Sequence, residues 1–586
     1  MRDEDPCWLR RAYEVQKEYW RDDISISHEE VMNMTSTLKK KLQIIRKRAK
    51  DELQKLSPLT ENLECGVERL RSEQNNKTMS NFTAKVQLLS RKLNDWIVEF
   101  AGMVIKQATE ICGSPPCQFA AVAIGSMAKG ETTPYSDLEF LFLVENEDSV
   151  SYFEQLAVTA YFIIGNLQET KLKYMNIEEL NRDDKWFYDM SVSGFKIDGL
   201  QQNGGNIPTG NGAQSQKNKF IKTADGLMNV YEKIFLHPDP KMSKIGDLSA
   251  MLSSTVLLYG ESRLHDDFVT RISAVEPSAL RREASIQMLQ SDAAKFDHQP
   301  DDTLTHIKEV KKDFYRFPSI IIFDLKILHG VRPSSVWETI NCLIAKGIIS
   351  STVGDDLRAA LSISLFARLS AYCHHSSQDD RMTILEPLQK LERGPWVFPR
   401  KLLIYYFLHC APLEVTEGSV ARTSYDGGDV DERTLIQALY SCGDYRAVIN
   451  CVEKMRGSHD QSVRILQMYT YAMIKIGEFD KALEIMMRGD NSHKNRDYTS
   501  LQYSLVGHAY NGKGCYSSAL EYHRKSLDTR LEIHGDSPHP DIAASYNNIG
   551  NVYRSQGNYS SALEYHRKSL DIKLEIHGDS PHPDIA

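Results

Sequence analysis

The feature that most constrains this chain is a near-identical internal repeat. Residues 521–543 and 564–586 differ at only two positions, and two weaker copies, GDYRAVINC at 443 and GEFDKALEI at 477, precede them. A chain that repeats itself every 34 to 43 residues folds as stacked supersecondary units, because one unit alone cannot bury its apolar face. We therefore predict an α-α superhelical array over 433–586. Because the chain stops within a repeat, we expect the natural array to continue.

Each copy reads as a helix, a glycine turn and a second helix. The glycine is followed by an aromatic residue two positions on and an alanine five positions on: Gly477, Phe479 and Ala482; Gly514, Tyr516 and Ala519; Gly557, Tyr559 and Ala562. The small alanine lets two antiparallel helices touch, and the aromatic ring is expected to fill the space beside it. The pattern resembles the tetratricopeptide repeat, and the long form with HGDSPHPDIA connections is similar to that of kinesin light chains. In this interpretation His534 and His577 are connecting residues and not metal ligands.

The resemblance implies that the array binds a protein partner. By the usual geometry of the repeat, Asn547, Asn551 and Arg554 on a first helix face the concave groove. Asparagine amides bond a peptide backbone without demanding its sequence. The alternative is that the three side chains are only solvated.

A second constraint is the stretch AIGSMAKGETTPYSDLEFLFLV, residues 123–144. A strand is predicted to end at Ile124, and Gly125-Ser126 then turns into a short helix whose free N–H groups suit a phosphate. Asp137 and Glu139 are two residues apart, so on a strand both project from one face. Two such carboxylates repel each other unless a divalent cation lies between them, and Mg²⁺ prefers carboxylate and phosphate oxygens.

This motif resembles the signature of the nucleotidyltransferase superfamily, and more narrowly the N-terminal domain of protein-PII uridylyltransferases. The resemblance implies that Gly125, Ser126 and Lys129 hold the triphosphate of a nucleoside triphosphate. It also implies that Asp137 and Glu139 bind Mg²⁺ or Mn²⁺. Glu139 stands where the bacterial proteins have a second Asp, and Lys129 where they usually have Arg; Lys129 is alternatively a surface lysine.

A third catalytic and metal-binding carboxylate is implied on a later strand. Asp198 in GFKIDGL is the candidate, with a turn-initiating Asp as the alternative. Asp183, Asp184 and Asp189 are rivals in a more helical or loop-like context. In KEVKKDFYR (308–316), a basic helix start is either a triphosphate contact or a solvated face.

These features predict an α+β nucleotidyltransferase domain with a small mixed sheet, followed by an all-α region and the repeat array. The domains are expected at 1–79 (helical), 80–265 (nucleotidyltransferase-like), 266–411 (helical), 412–432 (linker) and 433–586 (repeats). Within this scheme, 72–81 is a connecting segment and 190–200 is a third strand.

Composition narrows the functional classes. The 586 residues carry a net charge of −9, which argues against a nucleic-acid partner. The ten cysteines form no CxxC pair, and no run of about 18 apolar residues predicts a membrane span. The charged N-terminus does not resemble a secretory signal, so the cytoplasm is the expected location.

The predicted function is Mg²⁺-dependent transfer of a nucleoside monophosphate, from UTP by resemblance, to an acceptor hydroxyl. The alternative is a protein-interaction scaffold with an inactive or only nucleotide-binding domain.

Overall fold

The structure, a computed structural model, divides into two compact units, Met1–Gly427 and Gly428–Ala586. The described residues are 27–63, 72–167, 220–236, 252–275, 279–294, 307–383, 396–410, 413–415, 419–422, 432–441, 443–455, 463–488, 496–535 and 537–577.

Two long helices open the first unit. Helix α1 (His28–Glu61) begins at a capping box. The Ser27 hydroxyl accepts from the Glu30 backbone N–H, and the Glu30 carboxylate accepts from the Ser27 backbone N–H. Helix α2 (Glu73–Cys112) begins one residue after its cap, Ser72, whose hydroxyl accepts from the Asn75 amide. The prediction of a connecting segment over 72–81 is therefore wrong. Polar residues there are helical because a serine cap starts the helix and because Asn75, Thr78 and Met79 are buried.

A four-stranded mixed sheet follows, in the order β3-β2-β1-β4. Its strands are β1 (Phe119–Ala123), β2 (Phe140–Val144), β3 (Ile221–Lys222) and β4 (Val256–Gly260). Strand β1 pairs antiparallel with both β2 and β4, while β2 pairs parallel with β3. This is the small mixed sheet that the apolar runs predict. The predicted strand at 190–200 lies outside the described residues.

Both faces of the sheet are buried, which explains why β1 and β2 read as continuous apolar runs. Phe140 and Phe142 face a core that includes residues of α1 and α2, whereas Leu141 and Leu143 face a second core around Phe268. The surrounding helices are α3 (Gly125–Lys129), α4 (Val150–Asn166), α5 (Ala224–Leu236), α6 (Ser262–Ala274) and α7 (Ala279–Ala294).

The rest of the first unit is mainly helical, but not wholly so. A π-helix (Val310–Tyr315) runs directly into α8 (Arg316–Leu328), and α9 (Val336–Ala345), α10 (Ser351–His375) and α11 (Arg400–Cys410) follow. The expectation of an all-α region misses a three-stranded sheet of β5 (Ile307–Glu309), β6 (Arg381–Thr383) and β7 (Trp396–Val397). Strands of two or three residues are too short to show a sequence period.

The predicted linker also holds a short antiparallel pair. Strand β8 (Leu413–Val415) pairs with β9 (Val420–Arg422), in register Leu413 with Arg422 and Val415 with Val420. Val420 is buried, so part of this polar stretch is anchored to the first unit.

The second unit consists of helices in its described part. They are α12 (Glu432–Ser441), α13 (Tyr445–Met455), α14 (Val463–Ile476), α15 (Phe479–Arg488), α16 (Arg496–Gly512), α17 (Tyr516–His534), α18 (Pro540–Ser555) and α19 (Tyr559–His577). Gly477, Gly514 and Gly557 all have positive φ, between 77° and 89°, at the turns between paired helices. The three alanines five positions on are buried, at 0 to 4% exposure. The sequence predictions for the turns and for the helix contacts agree with these observations.

The aromatic positions behave differently from one repeat to the next. A Cβ on Gly512 would lie 2.2 Å from the Phe479 ring, so Phe479 packs closely on α16. Tyr559, by contrast, is 72% exposed, and the prediction that its ring fills space within the repeat is wrong. It shares an exposed face of α19 with Leu563, Leu570 and Leu574; the matching residues Leu520, Leu527 and Leu531 of α17 pack against α18.

Two further observations concern the described residues only. None of the described helices combines the length and apolarity needed to span a bilayer. The described cysteines carry free thiols, as the scattered spacing predicts.

Candidate functional site

The turn between β1 and α3 is built around Gly125. This residue has φ +65°, a left-handed conformation that costs an L-residue with a side chain about 1–2 kcal/mol. The backbone N–H of Ile124 donates to the Glu139 carbonyl at 2.9 Å, and that of Glu131 donates to the Ser126 carbonyl at 2.9 Å. The turn is thus fixed on both sides by backbone hydrogen bonds.

The carboxylate of Glu139 lies directly on this turn. A Cβ added at Gly125 would sit 1.5 Å from Glu139 Oε2, which is far inside any atomic contact. A side chain at position 125 is therefore disfavoured twice, by the backbone angle and by the Glu139 carboxylate, which would have to move. The Glu139 side chain points toward the Gly125-Ser126 turn.

Asp137 faces side chains from the helical part of the same unit. The Gln378 amide Nε2 donates to Asp137 Oδ2 at 3.4 Å. Lys311, in the π-helix, has a pKa lowered mainly by burial and next by nearby Arg368, while the Asp137 carboxylate opposes this shift. The basic stretch 308–316 thus contributes a lysine to the surroundings of Asp137, and its interpretation as only a solvated face is wrong for Lys311.

Asp137 and Glu139 lie just before β2 and not on it. Both are half-buried, while Leu138 between them is fully buried. The alternation that the sequence predicts is present, because an extended backbone sends Leu138 to the core and its two neighbours to the other side.

Beneath the turn, Glu131 is fully buried in a polar network. Its Oε2 accepts from the Tyr315 hydroxyl and from the Ser319 hydroxyl, each at 2.8 Å. Arg368 donates to the Glu131 carbonyl at 3.2 Å and lies 4.6 Å from the Tyr315 ring centre. Burial raises the pKa of Glu131, and the nearby Lys129 opposes that rise. This network ties the turn to α8 and α10; sequence reasoning missed it because its members are 184 to 237 residues apart.

Lys129 sits over an aromatic ring. Its ammonium lies 4.1 Å from the Phe323 ring centre, and Lys326 Nζ lies 5.2 Å from the same centre. Lys326 is buried and donates to the Ser253 carbonyl at 2.8 Å and to Ser254 Oγ at 2.5 Å. Burial lowers the pKa of Lys326 to about 7, with Lys129 acting in the same direction. Lys129 is therefore not a simple surface lysine, and its contact with phosphate stays a prediction.

The candidates for the third carboxylate lie in a part of the chain that the structure does not describe. Asp198 and its rivals Asp183, Asp184 and Asp189 all lie outside the described residues. Within the described part of the chain, Glu139 lies on the turn, and Asp137, two residues before it, lies beside Gln378.

In the repeat unit, Asn547, Asn551 and Arg554 lie at i, i+4 and i+7 on α18, so they share one face. Asn547 Oδ1 lies 3.0 Å from His566 Nδ1 and so helps to join α18 to α19. Asn551 is half-buried and Arg554 is exposed. Burial lowers the pKa of His566, and the Arg554 guanidinium acts in the same direction, so Arg554 lies near that ring.

Comparison with known proteins supports the repeat assignment. Residues 499–575, which are α16 to most of α19, match the model of a tetratricopeptide repeat family. No curated protein matches the chain.

Solved structures with helical arrays also match, but weakly. MamA 41-end from Desulfovibrio magneticus RS-1 is 20% identical over 31% of this chain and 86% of its own length, with a TM-score of 0.20. BtubC from P. vanneervenii is 13% identical over 52% and 95%, with a TM-score of 0.21. The Cut9–Hcn1 hetero-tetramer of the APC/C is 11% identical over 86% and 85%, with a TM-score of 0.20. Scores this low do not establish a shared fold, so the assignment depends on the family match and on the geometry of α16–α19.

Proposed function

We propose that this protein is an interaction scaffold whose tetratricopeptide array binds a partner polypeptide. The observation that carries the proposal is the pair of helix hairpins α16–α17 and α18–α19, which coincide with the family match at 499–575. Stacked helix pairs form an extended concave surface that suits a peptide or a protein segment.

The chemistry of α18 indicates what kind of segment it holds. Asn551 offers an amide that bonds a peptide backbone, and exposed Arg554 offers a planar guanidinium that bonds a carboxylate with two parallel hydrogen bonds. The partner is therefore a segment with an accessible backbone and an acidic side chain or a C-terminal carboxylate.

The test is cross-linking mass spectrometry on partners captured by the full chain. The proposal predicts cross-links between partner segments and residues 540–555. The double variant Asn551→Ala/Arg554→Ala should lose those partners, whereas Arg567→Ala, which removes the same charge from exposed α19, should keep them. Partners retained equally by all three proteins, or cross-linked elsewhere, would show that this face is not the binding surface.

A second candidate function is nucleotidyl transfer at the Gly125 turn. What favours it is the Glu139 carboxylate lying on Gly125, with the half-buried Asp137 carboxylate two residues before it. These oxygen donors are of the type that Mg²⁺ or Mn²⁺ takes in proteins, so the donor set fits such an ion. When bound, the ion would neutralise charge on the phosphates of a nucleoside triphosphate.

In this second proposal, the chain's own residues bind and orient the substrate. Gly125 and Ser126 hold the triphosphate after the Glu139 carboxylate, which lies over Gly125, moves aside. Asp137 and Glu139 hold the ion, and Lys311 supplies a cation beside Asp137. The product would be a nucleoside monophosphate, uridylate by resemblance, joined to an acceptor hydroxyl such as that of a protein tyrosine, with release of pyrophosphate.

Transfer of label from a nucleoside triphosphate to an acceptor distinguishes a nucleotidyltransferase from a protein that acts only as a scaffold. Purified full-length protein is incubated with each labelled nucleoside triphosphate, Mg²⁺ and cell extract. Transfer that is lost in Asp137→Asn supports catalysis, and equal labelling by wild type and variant rejects it. The Arg554→Ala variant tests recruitment separately, because it leaves the Gly125 turn intact. Cytoplasmic location stays a prediction.

A further inference from the structure

The connection between α17 and α18 brings together three side chains that are able to bind a metal ion. The sequence HGDSPHPD, residues 534–541, ends α17 at His534 and starts α18 with His539 as its cap. Gly535, with φ +65°, reverses the chain, so two histidines five positions apart become neighbours. His534 is therefore a connecting residue that lies beside a second histidine and a carboxylate.

The distances among the three groups are short. One ligand atom from each of His534, His539 and Asp541 lies within 4.8 Å of the other two. His534 Nε2 and His539 Nδ1 are each 3.6 Å from the same oxygen, Asp541 Oδ2. In a tetrahedral zinc site with bonds of about 2.0–2.1 Å, neighbouring ligand atoms are about 3.3 Å apart.

The hydrogen bonding of the cluster leaves a donor atom for an ion. His534 Nε2 is buried and makes no hydrogen bond, although Asp541 lies beside it. The Arg530 guanidinium donates to the Asp541 carbonyl and to Ser545 Oγ, each at 2.8 Å. The carboxylate itself is half-exposed, so an ion is able to reach it.

We propose that His534, His539 and Asp541 form a binding site for a divalent transition metal ion, Zn²⁺ by its ligand chemistry. Two imidazoles and one carboxylate are the nitrogen and oxygen donors that Zn²⁺ takes, and imidazole is a poor ligand for Mg²⁺ or Ca²⁺. Three protein ligands leave the fourth tetrahedral position to water or to a group from a bound partner.

Binding requires a small rearrangement of the cluster. The two rings are stacked, with centres 3.5 Å apart and planes at 11°, so their in-plane lone pairs do not yet converge. His539 Nδ1 also accepts the Asp541 amide proton at 3.2 Å. The ion would tilt the rings out of the stack and exchange that hydrogen bond for a metal bond. It would then fasten the end of α17 to the start of α18 and fix the angle between successive repeats.

The same eight residues recur at 577–584, with His577, His582 and Asp584 in the matching places. Experiments on the described cluster therefore use the full chain in a His577→Gln/His582→Gln background. In that background any specific site must come from the 534–541 connection.

The test is calorimetric titration of the apo full-length protein with Zn²⁺, together with the visible absorption of bound Co²⁺. The proposal predicts one site whose dissociation constant rises at least tenfold in His534→Gln and in Asp541→Asn. It also predicts a tetrahedral Co²⁺ spectrum that both variants lose. The matched control, His566→Gln, changes a histidine of the same unit outside the cluster and should keep both signals.

A second measurement guards against simple misfolding. Circular dichroism without metal should show the same helix content in all variants. Zn²⁺ should raise the melting temperature of the His577→Gln/His582→Gln protein but not that of the same protein carrying His534→Gln. Zn²⁺ affinity that is equal in His534→Gln and His566→Gln would overturn the proposal. So would a Co²⁺ spectrum that is not tetrahedral.

Discussion

At the scale of single residues, the Gly125 turn is restricted in two ways. Its positive φ and the Glu139 carboxylate above it are independent restrictions, and each disfavours a residue with a side chain. Gly130, five residues on, has a similar φ of +75° but no atom closer than 3.7 Å to where its Cβ would be. A comparison of the two positions therefore distinguishes the cost of a left-handed backbone from the cost of a steric clash with Glu139.

We expect Gly130→Ala to lower the free energy of unfolding by about 1–2 kcal/mol, the cost of left-handed backbone alone. Gly125→Ala should lose roughly 1–3 kcal/mol more, because Glu139 has to move. Urea denaturation of both variants measures the difference. Equal losses would mean that Glu139 does not occupy the turn in solution.

Glu131 gives a pH-dependent prediction. Its folded pKa lies above 4.5, so its contribution to stability is present below pH 4.5 and is lost as pH rises through the folded value. Glu131→Gln keeps the shape and removes the ionisation, so it should flatten this dependence and be at least as stable as wild type at pH 7. Glu131→Ala should lose about 2–4 kcal/mol by leaving Tyr315 and Ser319 without their acceptor. A Glu131→Gln variant with an unchanged pH profile would contradict the raised pKa.

At the scale of helices and strands, the repeats show how local sequence and neighbouring contacts combine. Gly507 in α16 and Gly550 in α18 occupy the same place in two nearly identical copies. A Cβ at Gly507 would meet the His523 ring at 2.7–2.8 Å, and a Cβ at Gly550 would meet the His566 ring at 2.8–3.1 Å. His523 is 1% exposed, whereas His566 is only half-buried.

This difference predicts that a glycine-to-alanine substitution is tolerated at position 550 but not at position 507. Alanine gains about 1 kcal/mol over glycine in a helix. In Gly507→Ala the enclosed His523 ring cannot move away, so a net loss of about 1–2 kcal/mol is expected. In Gly550→Ala the His566 ring swings outward and the net change should be close to zero. Amide hydrogen exchange over residues 496–577 measures the change in stability in both variants. Equal protection in the two would show that the pocket around His523 is not rigid.

The same ring predicts acid sensitivity of the array. Burial lowers the pKa of His523 far below 6.5, with His508 acting in the same direction. The unfolded chain therefore takes up the proton first, and stability falls as pH drops below about 6.5. Between pH 7 and pH 5 we expect a loss of up to about 2 kcal/mol in exchange protection of α16 and α17, reduced in His523→Gln. An identical pH profile in that variant would contradict the assignment.

Sequence patterns predicted what is local and periodic. The β1 strand, the glycine turns and the buried alanines follow from short-range rules, and so does the burial of Leu138 between two carboxylates. The start of α2 at Glu73 was not predicted, although the Ser72 cap is local, because the polar residues after it suggested a connecting segment. Strands β5–β7 were not predicted because each is only two or three residues long and pairs with a strand distant in the chain. The Glu131 network was likewise invisible, since no local rule relates Glu131 to Arg368.

At the scale of the whole molecule, the chain joins two compact units with different architecture. The first unit holds a buried charge network beneath a glycine turn with a carboxylate on it. The second presents an array of helix pairs. The proposed scaffold function needs only the second unit. It can therefore be tested without reference to nucleotidyl transfer in the first unit.

The central claim, that the α18 face holds a partner segment, is tested most directly by affinity measurement. A segment identified by cross-linking is synthesised and titrated into the full chain by calorimetry. The account predicts that Arg554→Ala weakens the dissociation constant at least tenfold, about 1.4 kcal/mol, and that Arg567→Ala leaves it unchanged. An affinity that is the same for wild type, Arg554→Ala and Arg567→Ala would contradict it.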